Sequence, residues 1–149
     1  MKEETKETIL LNCKSYEFFS DQLFVLEKSY FHLLDDLMGG VDNMIFALKH
    51  PEKYYNDKVF LRKVDKLSVC GQKYLTISFK FEKEMQTMID LAPELRDLEL
   101  GFNGKKSSFL FISDYMDELD QAILLQSKMR SCIEKQLKLF SIFNKKNKQ

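Results

Sequence analysis

Turn-formers are scarce in this chain: it has two prolines and five glycines in 149 residues. That scarcity argues against loop-rich sandwiches, barrels and Rossmann units. Net charge is absent as well, since 23 Lys and Arg face 23 Asp and Glu. A globally basic nucleic-acid binder is therefore disfavoured. Cysteine is limited to Cys13, Cys70 and Cys132, an odd number, widely spaced, with no CxxC. This excludes a disulfide scaffold and points to free thiols in a reducing, cytoplasmic setting. Long hydrophobic runs are missing. Stretches such as Phe109–Ile112 and Ala122–Leu125 fall far short of the roughly 20 residues of a membrane span. Leu10-Leu11-Asn12-Cys13 has the outline of a lipoprotein box. Glu3, Glu4 and Glu7 precede it, however, and its apolar stretch is only Ile9 to Leu11, so no export leader is expected.

What is present is helical periodicity. Apolar residues make up 44% and charged residues 31%, enough for one compact domain, expected over 1–144, with 145–149 as a flexible basic tail. From Thr8 to Met38, Ile9, Asn12, Tyr16, Phe19, Leu23, Leu26, Tyr30, Leu33 and Leu37 recur at spacings of three and four. Phe24, Phe31 and Leu34 widen that stripe beyond a two-stranded seam, as in a bundle of three or more helices. Gly39-Gly40 is expected to stop the helix. A short corner helix follows, capped by Asp42, with Val41, Ile45 and Leu48 on one face, and ended by Pro51.

The second helix is expected from about Glu52 to Ala92, with Leu100 as its outer bound. Its core positions are Phe60, Val64, Leu67, Gly71, Tyr74, Ser78, Phe81, Met85, Met88, Ala92 and Leu95. A second stripe of Leu61, Cys70, Leu75, Ile77, Ile89 and Leu91 marks it as the middle helix. The alternation over Tyr74–Phe81 also fits a strand, but the heptad continues on both sides of it. Pro93 kinks or ends the helix, and Phe102-Asn103-Gly104-Lys105-Lys106 reads as a loop. The third helix, capped by Ser107, Ser108 or Ser113, carries Ile112, Met116, Leu119, Ile123, Met129, Ile133, Leu137, Phe140 and Phe143. It is expected to end near Asn144, with a slip of the seam near Gln126. The fold expected is all-α: an antiparallel bundle of three long helices plus a short corner helix, with coiled-coil-like packing.

Antiparallel folding sorts the charge. Residues 53–83 carry eight basic and three acidic side chains, and 121–149 carry seven basic against Glu134. Residues 84–99 and 105–120 are acidic on balance. One end is thus expected to be basic, with Lys128, Arg130, Lys135, Lys138, Lys145 and Lys146 forming a surface for an acidic partner. Asp35, Asp36 and Asp42 neutralise part of that end. A solvated helix surface is the plain alternative. Only three arginines occur, which argues against specific phosphate or base recognition.

Catalytic inventory is thin. His32 and His50 are the two histidines, and no His-x-x-x-His, Glu-x-x-His, zinc spacing or phosphate loop occurs. The cysteines fall on or beside apolar stripes and read as inert core thiols. Asp35-Asp36 and Asp117-Glu118 read as solvated carboxylates. No catalytic residue, cofactor or metal is expected. Thirteen Phe and six Tyr remain, and Phe18, Phe24, Tyr54, Tyr55 and Phe79 stand off the main seam as candidate partner anchors. The expectation is a non-catalytic protein–protein interaction module: a small complex subunit, adaptor, chaperone or inhibitor meeting a helical partner. Self-association is plausible. Binding of nucleic acid or anionic lipid through the basic end is the alternative.

Overall fold

The computed structural model describes residues 2–40, 44–90 and 106–148, and within them the side chains of 14–39, 44–87, 90 and 117–144. The order is α1 (Lys2–Gly40), α2 (Met44–Lys49), a 3₁₀ helix (Pro51–Tyr54), α3 (Lys58–Asp90), α4 (Lys106–Phe140) and a second 3₁₀ helix (Ser141–Lys148). The chain is all-α, a bundle of three long helices with a short corner helix, and no strand occurs among the described residues. Tyr74–Phe81 is helical. Asp42, Pro93 and the 102–105 loop lie outside the described residues, as do the side chains of Asn12, Cys13, Ile112 and Met116.

Several boundaries differ from expectation. The first long helix begins at Lys2, not near Thr8, and the last at Lys106, so Ser107, Ser108 and Ser113 lie within it and do not cap it. The second long helix begins at Lys58, not near Glu52. Pro51 lacks a backbone N–H and opens the 3₁₀ helix. Asp57 then caps α3, its Oδ1 accepting from the Phe60 N–H at 3.1 Å. The third long helix ends as an α-helix at Phe140, and the 3₁₀ helix Ser141–Lys148 takes over. In the corner helix the buried residue is Ala47, while Ile45 is exposed.

The chain falls into two compact units, residues 1–21 with 77–128 and residues 22–76 with 129–149. Each long helix contributes a segment to each unit. In the first unit Phe81, Met85 and Leu119 are buried. Tyr16 packs its ring against Phe81 at 5.8 Å and donates its hydroxyl to Glu118 Oε1 at 3.0 Å. Ser78 Oγ donates to Gln126 Oε1 at 2.9 Å.

The second unit holds most of the buried side chains, including Leu23, Tyr30, Leu37, Phe60, Val64, Leu67, Tyr74, Ile133 and Phe140. Each such aliphatic or aromatic side chain stabilises by about 1.5–3 kcal/mol when fully buried. Here α1 and α3 run antiparallel. Leu26 O accepts from Cys70 Sγ at 3.6 Å, and Asp36 pairs with Lys63 at 3.7 Å. Tyr30 donates its hydroxyl to Gln136 Oε1. Tyr54, Phe60 and Phe143 stack together, with ring centroids 4.8 Å apart for Tyr54–Phe60 and for Phe60–Phe143.

The seam of α4 does not slip near Gln126. Leu119, Ile123, Gln126, Arg130, Ile133, Leu137 and Phe140 keep a continuous 4,3 spacing, and all are buried or half-buried. Two polar residues at core positions hide that continuity from a count of apolar residues. Gln126 is accommodated because Ser78 opposite it is small and offers a hydroxyl.

Gly71 has a comparable role. A Cβ there would lie 3.1 Å from both Leu137 methyls and 3.2 Å from Tyr30 Cε2. Gly71→Leu should therefore overpack the core, costing about 2–3 kcal/mol and lowering the urea midpoint. Gly71→Ala gains about 0.5–1 kcal/mol of helix propensity but requires the Leu137 methyls and the buried Tyr30 ring to yield slightly, so its midpoint should fall far less than that of Gly71→Leu.

Burial pushes the Tyr30 hydroxyl above its ordinary 10.0, with the Cys132 and Cys70 thiols adding to the rise. Burial and then Glu118 do the same for Tyr16, and burial raises Cys70 above 9.0 against the pull of Lys73. All three hold their protons more tightly in the folded state. Their contribution is complete at neutral pH. It falls as pH climbs past 9.0 and then 10.0, where the unfolded chain deprotonates first. Tyr30→Phe should flatten this alkaline loss, read from urea unfolding at a series of pH values.

Candidate protein-interaction surface

Side chains on α1 that point away from the core form the clearest surface feature of the second unit. Leu23, Tyr30 and Leu37 are buried. The residues one step on, Phe24, Phe31 and Met38, are 63%, 37% and 50% exposed. A helix turns about 100° and rises about 1.5 Å per residue, so residues seven apart line up about 10 Å from one another. The three side chains thus form one apolar row beside the buried seam. Lys28 and Asp35, also seven apart, make a parallel charged line next to it. The Lys28 ammonium lies 5.6 Å from the Phe24 ring centroid. Phe24, Glu27, Lys28, Phe31, His32 and Asp35 line a shallow, open depression.

The anchors expected from sequence divide. Phe24 in this unit and Phe18 and Phe79 in the other are exposed. Tyr54 is not a free anchor: it is half-buried, its ring against Phe60 and Phe143. Tyr55 is half-buried as well. Phe31, Met38 and Val25 on α1, Ile45 on α2, and Leu124, Leu125 and Leu139 on α4 are exposed apolar residues that sequence reasoning did not nominate. By spacing alone Phe31 reads as part of the widened core stripe. The signal that separates it is its place directly after a buried seam position, in the same row as Phe24 and Met38.

The basic set also divides. Lys128, Lys135 and Lys138 are exposed. Arg130 is not part of that surface: it is 7% exposed and occupies a seam position of α4. Its long aliphatic stem fits where its charge alone suggested solvent. The side chains of Lys145 and Lys146 lie outside the described residues. By composition, the unit of 22–76 and 129–149 has fourteen Lys and Arg against eight Asp and Glu, a net +6. The other unit has nine against fifteen, a net −6. Lys135 and Lys138 fall in the positive unit and Lys128 in the negative one. Lys63 takes up part of the charge of Asp36.

No group of three or more His, Cys, Asp and Glu that could hold a metal ion occurs among the described residues. His32 is exposed, and His50 lies against the Phe46 ring with Nδ1 3.6 Å from Glu52. Asp35 and Asp36 are exposed, as are Asp117 and Glu118. No helix among the described residues is long and apolar enough to cross a membrane.

The thiols behave differently from one another. Cys70 is buried, donates to a backbone carbonyl and is held protonated by its burial. Cys132 is exposed and is therefore not the core thiol its neighbouring stripe suggested. Under native conditions near neutral pH, an alkylating reagent should modify Cys132 while Cys70 reacts only after unfolding. Peptide mass mapping before and after denaturation reads this directly. No protein-family model, curated protein or solved structure matches the chain.

Proposed function

We propose that this protein is a non-catalytic interaction module, a small subunit, adaptor, chaperone or inhibitor, whose α1 meets a helical partner through its outer face. The observation that carries this reading is the row Phe24, Phe31 and Met38, solvent-facing beside a well-filled core. Exposed aromatics cost solubility unless another surface covers them, and aromatic side chains concentrate the energy of protein interfaces. The reading includes a cytoplasmic setting, where thiols such as Cys70 and Cys132 stay reduced.

A second reading, weaker after the burial of Arg130, rests on the net +6 of one unit. Lys135 and Lys138 there would meet nucleic acid or anionic lipid. Such binding would collapse with added salt, whereas an apolar contact would persist.

The test compares the natural chain with F24Q/F31Q as baits in affinity purification from the native source. Both substitutions lie on an exposed helix face and keep helix propensity, so circular dichroism should be unchanged. The specifically bound proteins should fall about tenfold or more with the variant and should resist moderate salt. Equal recovery on both baits refutes the α1 reading.

A further inference from the structure

We propose that α1 pairs antiparallel with α1 of a second copy of this chain, across the row Phe24, Phe31, Met38 and the line Lys28, Asp35. This rests on the reading of α1 as an interaction face and names its occupant.

The argument is self-complementarity. A two-fold interface needs every residue to meet one that suits it in both directions. An antiparallel alignment centred at Phe31 brings Phe24 opposite Met38 of the second copy, and Phe31 beside its own counterpart. In this register Leu34 of the second copy stands directly opposite Lys28, and Asp35 is one residue further on, about 1.5 Å along the axis, within reach of the long Lys28 side chain; the reverse pair is equivalent by symmetry. A two-fold axis perpendicular to the plane of the paired helices keeps apolar row against apolar row and charged line against charged line. One register thus serves all five residues, the charged pairs to within about 1.5 Å along the axis. A parallel pairing, with its two-fold axis along the helices, would put the two charged lines on opposite sides of the contact, so that neither Lys28 nor Asp35 would meet the opposite charge. Neither Lys28 nor Asp35 has an ion-pair partner among the described residues, so both charges are available to the second copy. The five residues lie within one compact unit, on one continuous helix.

Sedimentation equilibrium over roughly a hundredfold concentration range tests this with the natural chain, K28E, D35K and K28E/D35K. The natural chain should show a monomer–dimer equilibrium. Each single reversal enters the interface twice and should raise the dissociation constant about tenfold or more. The double reversal should restore it to within about threefold, an outcome only cross-pairing of the two positions explains. Circular dichroism confirms that each variant keeps its helicity. A natural chain that stays monomeric overturns the proposal, as does a dimer indifferent to the single reversals, or a double variant no tighter than the singles. Should the natural chain stay monomeric while F24Q/F31Q still loses its captured proteins, the self-pairing falls and the broader interaction reading stands.

Discussion

A seven-residue alternation that carries polar side chains at its dry positions leaves the helices few ways to pack. Along α3, Phe60, Val64, Leu67, Gly71, Tyr74, Ser78, Phe81 and Met85 are all buried. The two smallest of them meet large side chains: Gly71 faces Leu137 and Tyr30, and Ser78 bonds to Gln126. Buried polar groups must find partners or carry a desolvation penalty. A shift of α4 by a turn would strand Gln126, Tyr30 and Ser78 together, while an apolar seam of uniform leucines would tolerate it. Register in this bundle is thus set by a few matched polar and small residues, and the hydrophobic stripe supplies the bulk of the stability.

Fixing the seam also fixes what is left outside it. With Leu23, Tyr30 and Leu37 pointing inward, helical geometry obliges Phe24, Phe31 and Met38 to lie at the edge of the solvent face. The same rotation carries Lys28 and Asp35 outward next to them. Core packing and surface chemistry on α1 are two consequences of one angular setting. The charge division follows from chain order: acidic and basic stretches sit in different segments, and folding back collects them into units of net −6 and +6.

Several features escaped a reading of hydrophobicity alone, each for a physical reason. By polarity, Gln126 and Arg130 read as a break in the α4 seam. A hydrogen-bond partner on α3 accommodates the first, and the second buries its long stem. Tyr54 looked like a free anchor because it stands off any heptad. It lies in the 3₁₀ helix, and Phe60 and Phe143, distant in sequence, supply its surroundings. Cys132 looked like a core thiol because it adjoins Ile133, yet one step along a helix is about 100° of rotation, enough to take it into solvent. The start of α3 was legible in principle, since Asp57 stands just before the periodic run and its side chain caps the helix.

By itself the sequence determined the helical class, the buried faces of α1 and α3 and the segregation of charge along the chain. These depend on spacing and chain order, which local geometry converts into faces without reference to any neighbour. Only the tertiary structure decided which polar residues enter the core, which aromatics are consumed by internal stacking and which remain exposed. Those outcomes depend on what stands opposite each side chain, and that is a property of the packed helices rather than of any one of them.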